Sequence, residues 1–379
     1  MRKKIAIVTA TRAEYGLFKP ILKAIEKDND LEYYLIITGL HLSQEFGYTI
    51  NEIIEDGLCI SARIDVLHKE DTGFGMAKYI GELIIELSKE FDKSNPDILL
   101  LLGDRGEMLA AAIAAVSMNI AVAHLHGGEL SGSIDDLFRH AITKLAHIHL
   151  LATETTKNRI IRIGEDPKRI FVVGAPGLDD IDEGLLTPNN ISEKYNLDLS
   201  RPIILFVQHA VTTETDDSKY QIKETLDAIT EMNYQTVIIY PNADPGGRRM
   251  INVIEEYAKA HNFIKTYKSL PRRDYLSIMN VASVMVGNSS SGIIESPSFK
   301  LPVVNVGTRQ KGRERADNVI DVDYNRKKIK TAIENAIYNE EFKKKLKGCR
   351  NPYGDGKAAP RILKILKEIK VDSSLLQKR

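Results

Sequence analysis

The sequence predicts an α/β protein of two Rossmann-like domains with a ligand cleft between them. Three observations predict it. Short apolar, β-rich runs alternate with longer segments of helical period, once through each half of the chain. The run Ile98-Leu99-Leu100-Leu101-Leu102 is continuous rather than alternating, as in a strand covered on both faces by helices. The stretch Gly174 to Ser200, rich in Gly, Asp, Pro and Asn, separates the two series. At 379 residues the chain is too long for one ordinary core and suits two.

Strands are expected in the first half at Lys4–Ala10, Tyr33–Thr38, Ile98–Leu102, Ile120–His124, His147–Leu150 and Ile170–Val173. Helices are expected at Phe18–Lys27, Ala77–Asp92, Glu107–Met118 and Asp136–Leu145. The second series places strands at Pro202–Val207, Thr236–Tyr240, Phe263–Thr266, Ser283–Val286 and Pro302–Val304. Its helices fall near Tyr220–Met232, Arg249–His261 and Asp274–Met279. Pro360–Val371 carries Ile362, Leu363, Ile365, Leu366 and Ile369 at helical spacing, and Asp372–Arg379 reads as a frayed end. The domains are therefore 1–180 and 181–357, followed by a C-terminal helix within 358–379.

Composition excludes several function classes. Hydrophobic residues make up 43% and charged residues 27%, ordinary values for a globular chain. Lys plus Arg total 52 and Asp plus Glu total 52, so there is no basic excess for nucleic acid or an anionic membrane. An anionic ligand must be met by a few placed groups. Cys59 and Cys349 show no metal-ligand spacing and read as reduced structural thiols. The apolar run behind the basic N-terminus ends at Ala10, too short for a secretory signal. No apolar stretch reaches the roughly 20 residues of a membrane helix. The expectation is a cytoplasmic protein that needs no cofactor or metal.

In open α/β folds chemistry gathers where strands end. After the first strand comes Thr11-Arg12-Ala13-Glu14-Tyr15-Gly16, which is neither a dinucleotide fingerprint nor a Walker loop. Arg12 is a cation at that edge, suited to a phosphate or to plain solvation. After Leu102 comes Gly103-Asp104-Arg105-Gly106-Glu107. This is either a helix cap with an ion pair or a catalytic cluster. The densest titratable patch follows: His124, His126, Gly127, Gly128, Glu129, Asp135, Asp136, Arg139 and His140. His124 and His126 alternate along an extended chain and face opposite ways, which argues against a shared metal. Carboxylates beside imidazoles suit acid–base work, although Asp135 also reads as a helix N-cap.

In the second half, Gln208-His209 ends one strand and Tyr240-Pro241-Asn242 another. Gly287-Asn288-Ser289-Ser290-Ser291-Gly292 opens a helix, presenting free N–H groups to a diphosphate. Glu295 beyond it can accept from two ribose hydroxyls. Gly307-Thr308-Arg309-Gln310-Lys311-Gly312-Arg313 adds cations. One half thus offers acids and histidines, the other an anion cradle, a division suited to a nucleotide-sugar enzyme.

These segments, with Arg139-His140-Ala141-Ile142-Thr143-Lys144 and Tyr353-Gly354-Asp355-Gly356-Lys357-Ala358, resemble the hydrolysing UDP-N-acetylglucosamine 2-epimerases of sialic-acid synthesis, in order from about residue 3 to 369. The resemblance implies the GT-B-like fold of B-type glycosyltransferases, with the C-terminal helix of 358–379 crossing back to the first domain. It implies UDP held by Arg12, Arg105, Asn242, Ser289, Ser290, Glu295 and Arg309, and chemistry at Asp104, Asp135 and His209. Where many members have glutamate this chain has His126, so either His126 or Glu129 completes the acid–base set. The implied reaction converts UDP-N-acetylglucosamine and water to N-acetylmannosamine and UDP through a glycal. The alternatives are the same reaction on a UDP-2,4-diacetamido-6-deoxy sugar, as in legionaminic-acid synthesis, a non-hydrolysing 2-epimerase, or, from another class, a GT-B glycosyltransferase. The expected partners are a UDP-sugar and a second copy of the chain in a homodimer or homotetramer, with no nucleic acid and no membrane.

Overall fold

A computed structural model describes residues 2–44, 47–67, 72–130, 135–181, 183–211, 213–241 and 246–378. Its strands in chain order are β1 (Lys3–Thr9), β2 (Leu31–Thr38), β3 (Ala62–Ile64), β4 (Ile98–Leu102), β5 (Ala121–Leu125), β6 (Ile148–Leu151) and β7 (Ile170–Val172). There follow β8 (Ile203–Val207), β9 (Gln235–Ile239), β10 (Ile264–Tyr267), β11 (Val284–Gly287), β12 (Val303–Val306) and β13 (Val319–Val322). The apolar run of β4 is buried at every position, as are β5, β6 and β8. That double-sided burial is what the uninterrupted hydrophobic sequence requires.

The strands form two wholly parallel sheets, ordered β3-β2-β1-β4-β5-β6-β7 and β10-β9-β8-β11-β12-β13. Each belongs to its own compact unit. In each sheet the strand order reverses once, between β1 and β4 and between β8 and β11. Helices on either side of such a reversal diverge and leave a crevice at the strands' carboxyl ends. Those ends are Thr9 and Leu102 in one unit and Val207 and Gly287 in the other.

The strands missed by the sequence reading are the edges, and the helices Arg326–Tyr338 and Glu340–Lys347 were missed as well. β3 and β13 close one side of each sheet and are half exposed, so neither carries a marked apolar run. The helix Arg12–Glu26 begins before Phe18 because Thr11 and Glu14 form a reciprocal capping box. Inside the stretch read as a linker, Thr187 caps a helix, Pro188–Tyr195, that buries Ile191 and Tyr195.

The chain returns to the first unit at Tyr353, so residues 353–357, read above as part of the second domain, cluster with the first. The helix Ala358–Glu368 buries Ala358, Ala359, Ile362, Leu363 and Leu366 in one core with Ile21, Leu22 and Ile25. Lys3 Nζ donates to the carbonyls of Leu366 and Ile369, both at 2.7 Å, and so closes that helix's C-terminus. The end beyond it is not frayed. Asp372 caps a further helical turn, Ser373–Leu376, and Leu375 is buried.

Candidate active site

At the first reversal point the two strands end differently. β1 passes through Thr11 straight into a helix, and Glu14 turns back so that its Oε2 accepts from the N–H groups of Ala10 at 2.8 Å and Thr11 at 3.1 Å. β4 leaves through Gly103 at φ +86, and Arg105 caps the helix Gly106–Ser117. Arg105 Nε lies 3.3 Å from Glu107 Oε2 and 3.8 Å from Glu14 Oε1. One partly exposed guanidinium is thus pinned by two buried carboxyls. Burial pushes the Glu14 carboxyl up to about 7, against the pull of Arg105.

Beside this lies a second cluster. After β5 the chain turns sharply at His126, whose φ of +57 is rare for a side chain of this size. The turn points the buried imidazole at Glu129, with Nδ1 2.6 Å from Oε1. Among the described residues Nε2 has no hydrogen-bond partner. Arg139, from the helix Asp135–Leu145 and 3% exposed, ties the cluster together. Its guanidinium pairs with Asp104, lies 3.6 Å from Glu129 Oε2 and donates to the His126 carbonyl at 3.4 Å. Burial alone would lower its pKa, but Asp104 and Glu129 raise it above the ordinary value. Gly128 is obligatory here: at φ +71, a Cβ would stand 2.2 Å from Ile160 Cγ2.

In the second unit, β8 and β11 end side by side. Asn288 locks them together, its Oδ1 accepting from the His209 N–H at 2.7 Å and its Nδ2 donating to the His209 carbonyl at 2.9 Å. Arg309 and Gln310 donate to the Asn288 carbonyl at 3.2 and 2.8 Å. Ser289 Oγ meets Ser291 Oγ at 2.9 Å, and Tyr275 holds the latter. Glu295 is buried, 3.5 Å from Arg272. Burial, then the charge of Arg309, hold the His209 imidazole down to about 3, so it is neutral.

Comparison with known proteins identifies the family. The family model described as UDP-N-acetylglucosamine 2-epimerase matches residues 23–367. The chain belongs to the UDP-N-acetylglucosamine 2-epimerase family. It is 43% identical, over all of itself and 99% of the relative, to the hydrolysing UDP-N,N'-diacetylbacillosamine 2-epimerase of Legionella pneumophila. It is 36% identical, over 99% of itself and 98% of the relative, to the hydrolysing GDP/UDP-N,N'-diacetylbacillosamine 2-epimerase of Campylobacter jejuni. A crystal structure of UDP-GlcNAc 2-epimerase from Neisseria meningitidis bound to UDP-GlcNAc superposes with a TM-score of 0.83 at 19% identity, covering 96% of this chain and 99% of that one. The fold is thus the expected α/β, GT-B-like one with two Rossmann-like units, and this member is a sugar-nucleotide 2-epimerase family enzyme. Among the described residues no helix is long and apolar enough to cross a membrane.

Of the residues singled out in this epimerase's sequence, Asp104, His126 and Glu129 come together through Arg139. Arg105 stands beside them with Glu14 and Glu107, whereas Arg12 pairs with Glu52 at 2.9 Å. In the second unit His209, Ser289 and Arg309 surround Asn288, and Ser290 caps the short helix Ser291–Ile294 that leads to Glu295. Asn242 and the side chain of Asp135 lie outside the described residues, although Asp135 opens its helix. Sequence reasoning undervalued Arg139 and Asn288. Arg139 stood among the titratable residues behind β5 and Asn288 in the Gly/Ser loop, but neither was given a role, because their partners Asp104 and His209 lie 35 and 79 positions away in sequence.

Buried imidazoles make this epimerase acid-sensitive. In the first unit His41 and His147 are held down to about 4 and His124 to about 3, chiefly by burial. Below the ordinary value of 6.5 the unfolded chain takes protons that these folded imidazoles refuse, so stability falls as pH drops. Glu14 acts oppositely: between 4.5 and about 7 its folded form keeps a proton that the unfolded chain has lost. Three groups outweigh one, each contributing up to about 1.4 kcal/mol per pH unit. Urea midpoints are expected to fall steadily from pH 7 to pH 5. Constant midpoints over that range would mean that these imidazoles are not held neutral.

Proposed function

We propose that the chain is a hydrolysing UDP-sugar 2-epimerase acting on UDP-2,4-diacetamido-2,4,6-trideoxyglucose, that is, UDP-N,N'-diacetylbacillosamine. Its products would be UDP and the free 2-epimeric sugar, a precursor for nonulosonate synthesis. The sequence alone put UDP-N-acetylglucosamine first. End-to-end likeness to two relatives named for diacetylbacillosamine reverses that order. UDP-N-acetylglucosamine stays as the second reading, favoured by the description of the matching family.

One observation carries the chemistry: the buried His126–Glu129 pair, whose Nε2 has no hydrogen-bond partner among the described residues. Glu129 accepting from Nδ1–H leaves the Nε2 lone pair available as a base. The C2–H proton passes to a base while the C1–O bond breaks and its electron pair leaves with UDP, giving a glycal. Water then supplies hydroxide to C1 and a proton returns to C2 from the opposite sugar face. His126 and Asp104, with Asp135, are assigned to the two faces, and neutral His209 to a hydrogen bond on the departing diphosphate. The second unit supplies the UDP contacts through Asn242, Ser289, Ser290, Glu295 and Arg309, while Arg12 and Arg105 stabilise developing phosphate charge.

The test is turnover of both UDP-sugars side by side in deuterated water with a chelator present. UDP release and one deuterium at C2 of the product are expected, faster with the diacetamido sugar. A product without deuterium at C2 would reject the elimination, and a preference for UDP-N-acetylglucosamine would restore the other substrate.

A further inference from the structure

The chain's end is held at three places in the first unit. Leu375 sits in the core. Arg169 donates to the carbonyls of Leu375 at 2.7 Å, Ser374 at 2.8 Å and Gln377 at 3.2 Å. Lys378 Nζ lies 2.6 Å from Glu165 Oε2 and donates to the carbonyls of Thr143 at 3.0 Å and Lys144 at 2.8 Å. Glu165 is 3% exposed and also holds His149 at 2.9 Å. This is no ordinary surface pair, which would contribute little. A buried carboxylate has drawn in the ammonium at the far end of the chain.

The carbonyls that Lys378 reaches belong to the last turn of the helix Asp135–Leu145. Such carbonyls lack intrahelical donors, and a cation there also suits the helix dipole. Arg139 lies one turn earlier on the same helix. Thr143 links the two, its hydroxyl donating to the Arg139 carbonyl at 2.9 Å. Arg139 in turn orients Asp104 and Glu129. A shift of this helix end would move the guanidinium that aligns both acids.

We propose that Lys378 is a positioning residue: the C-terminal strap fixes the end of helix Asp135–Leu145 and so holds Arg139 against Asp104 and Glu129. The effect on turnover rests on the epimerase reading above; the effect on the helix does not.

The test compares full-length wild type with Lys378→Met and Lys378→Arg. Amide hydrogen exchange reads the helix, and kinetics with both UDP-sugars plus UDP calorimetry read the site. Lys378→Met is expected to speed exchange in residues 140–147 by about tenfold and to lower kcat by about tenfold, with KM and UDP affinity within about twofold. Lys378→Arg restores both, since it can still bridge the carboxylate and the carbonyls. Unchanged exchange and kcat in Lys378→Met overturns the proposal. So does a loss of kcat accompanied by weaker UDP binding and faster exchange throughout the second unit, which marks general destabilisation. Wild type inactive on both sugars sinks the epimerase reading, while the exchange data still decide whether the strap holds the helix.

Discussion

Asp104→Asn is expected to lower kcat by roughly a thousandfold or more while UDP affinity stays within about tenfold, or about 1.4 kcal/mol. The side chain is 21% exposed although its partner Arg139 is 4% exposed, so the carboxylate is held from behind and open in front. Asparagine keeps the shape but neither accepts a proton nor carries the charge. It also removes the charge paired with the buried Arg139, leaving Glu129 at 3.6 Å, so a drop in melting temperature should accompany the loss of turnover. The two effects separate by the UDP measurement, because the nucleotide contacts are assigned to the second unit. Near-normal turnover would reduce Asp104 to a counter-ion of Arg139. Loss of UDP binding together with turnover would give it a structural role.

How much of this was legible in the sequence follows from where the signals lie. β4 announced itself, because five successive large aliphatic residues have no use on a surface. The clusters after β1, β4, β5, β8 and β11 were found for a related reason: charge and glycine directly behind a buried strand stand out. β3 and β13 carry no such contrast, since an edge strand has one wet side. The His126–Glu129 contact was hidden because an extended chain would turn those side chains elsewhere, and only the left-handed turn at His126 brings them together. Arg139 was visible as a residue but not as a hub, because Asp104 reaches it across 35 positions of sequence. The strap was misread outright. A short polar tail with two leucines looks like a fraying end until Arg169 and Glu165, more than 200 positions away, are seen to hold it.

Gly287→Ala is expected to destabilise the second unit by more than about 4 kcal/mol and to abolish UDP binding. The residue pairs with Val207 across the β8–β11 ladder at φ +124. A Cβ there would stand 2.1 Å from the Val207 oxygen and 2.6 Å from its carbonyl carbon. Both are backbone atoms at the centre of a parallel sheet, so no rotamer change can make room. The strands would have to separate where Asn288 locks them to His209, which would also displace the loop carrying Ser289 and Ser290. Gly103→Ala is the matched control. Gly103 also has positive φ, +86, behind β4, but among the described residues a Cβ there meets nothing within 4 Å. That substitution should cost only the conformational penalty, about 1–2 kcal/mol. Thermal denaturation and UDP calorimetry of the two variants therefore separate backbone conformation from close approach. If Gly287→Ala behaves like Gly103→Ala, the strands are not held as tightly at the second reversal point as the Asn288 lock requires.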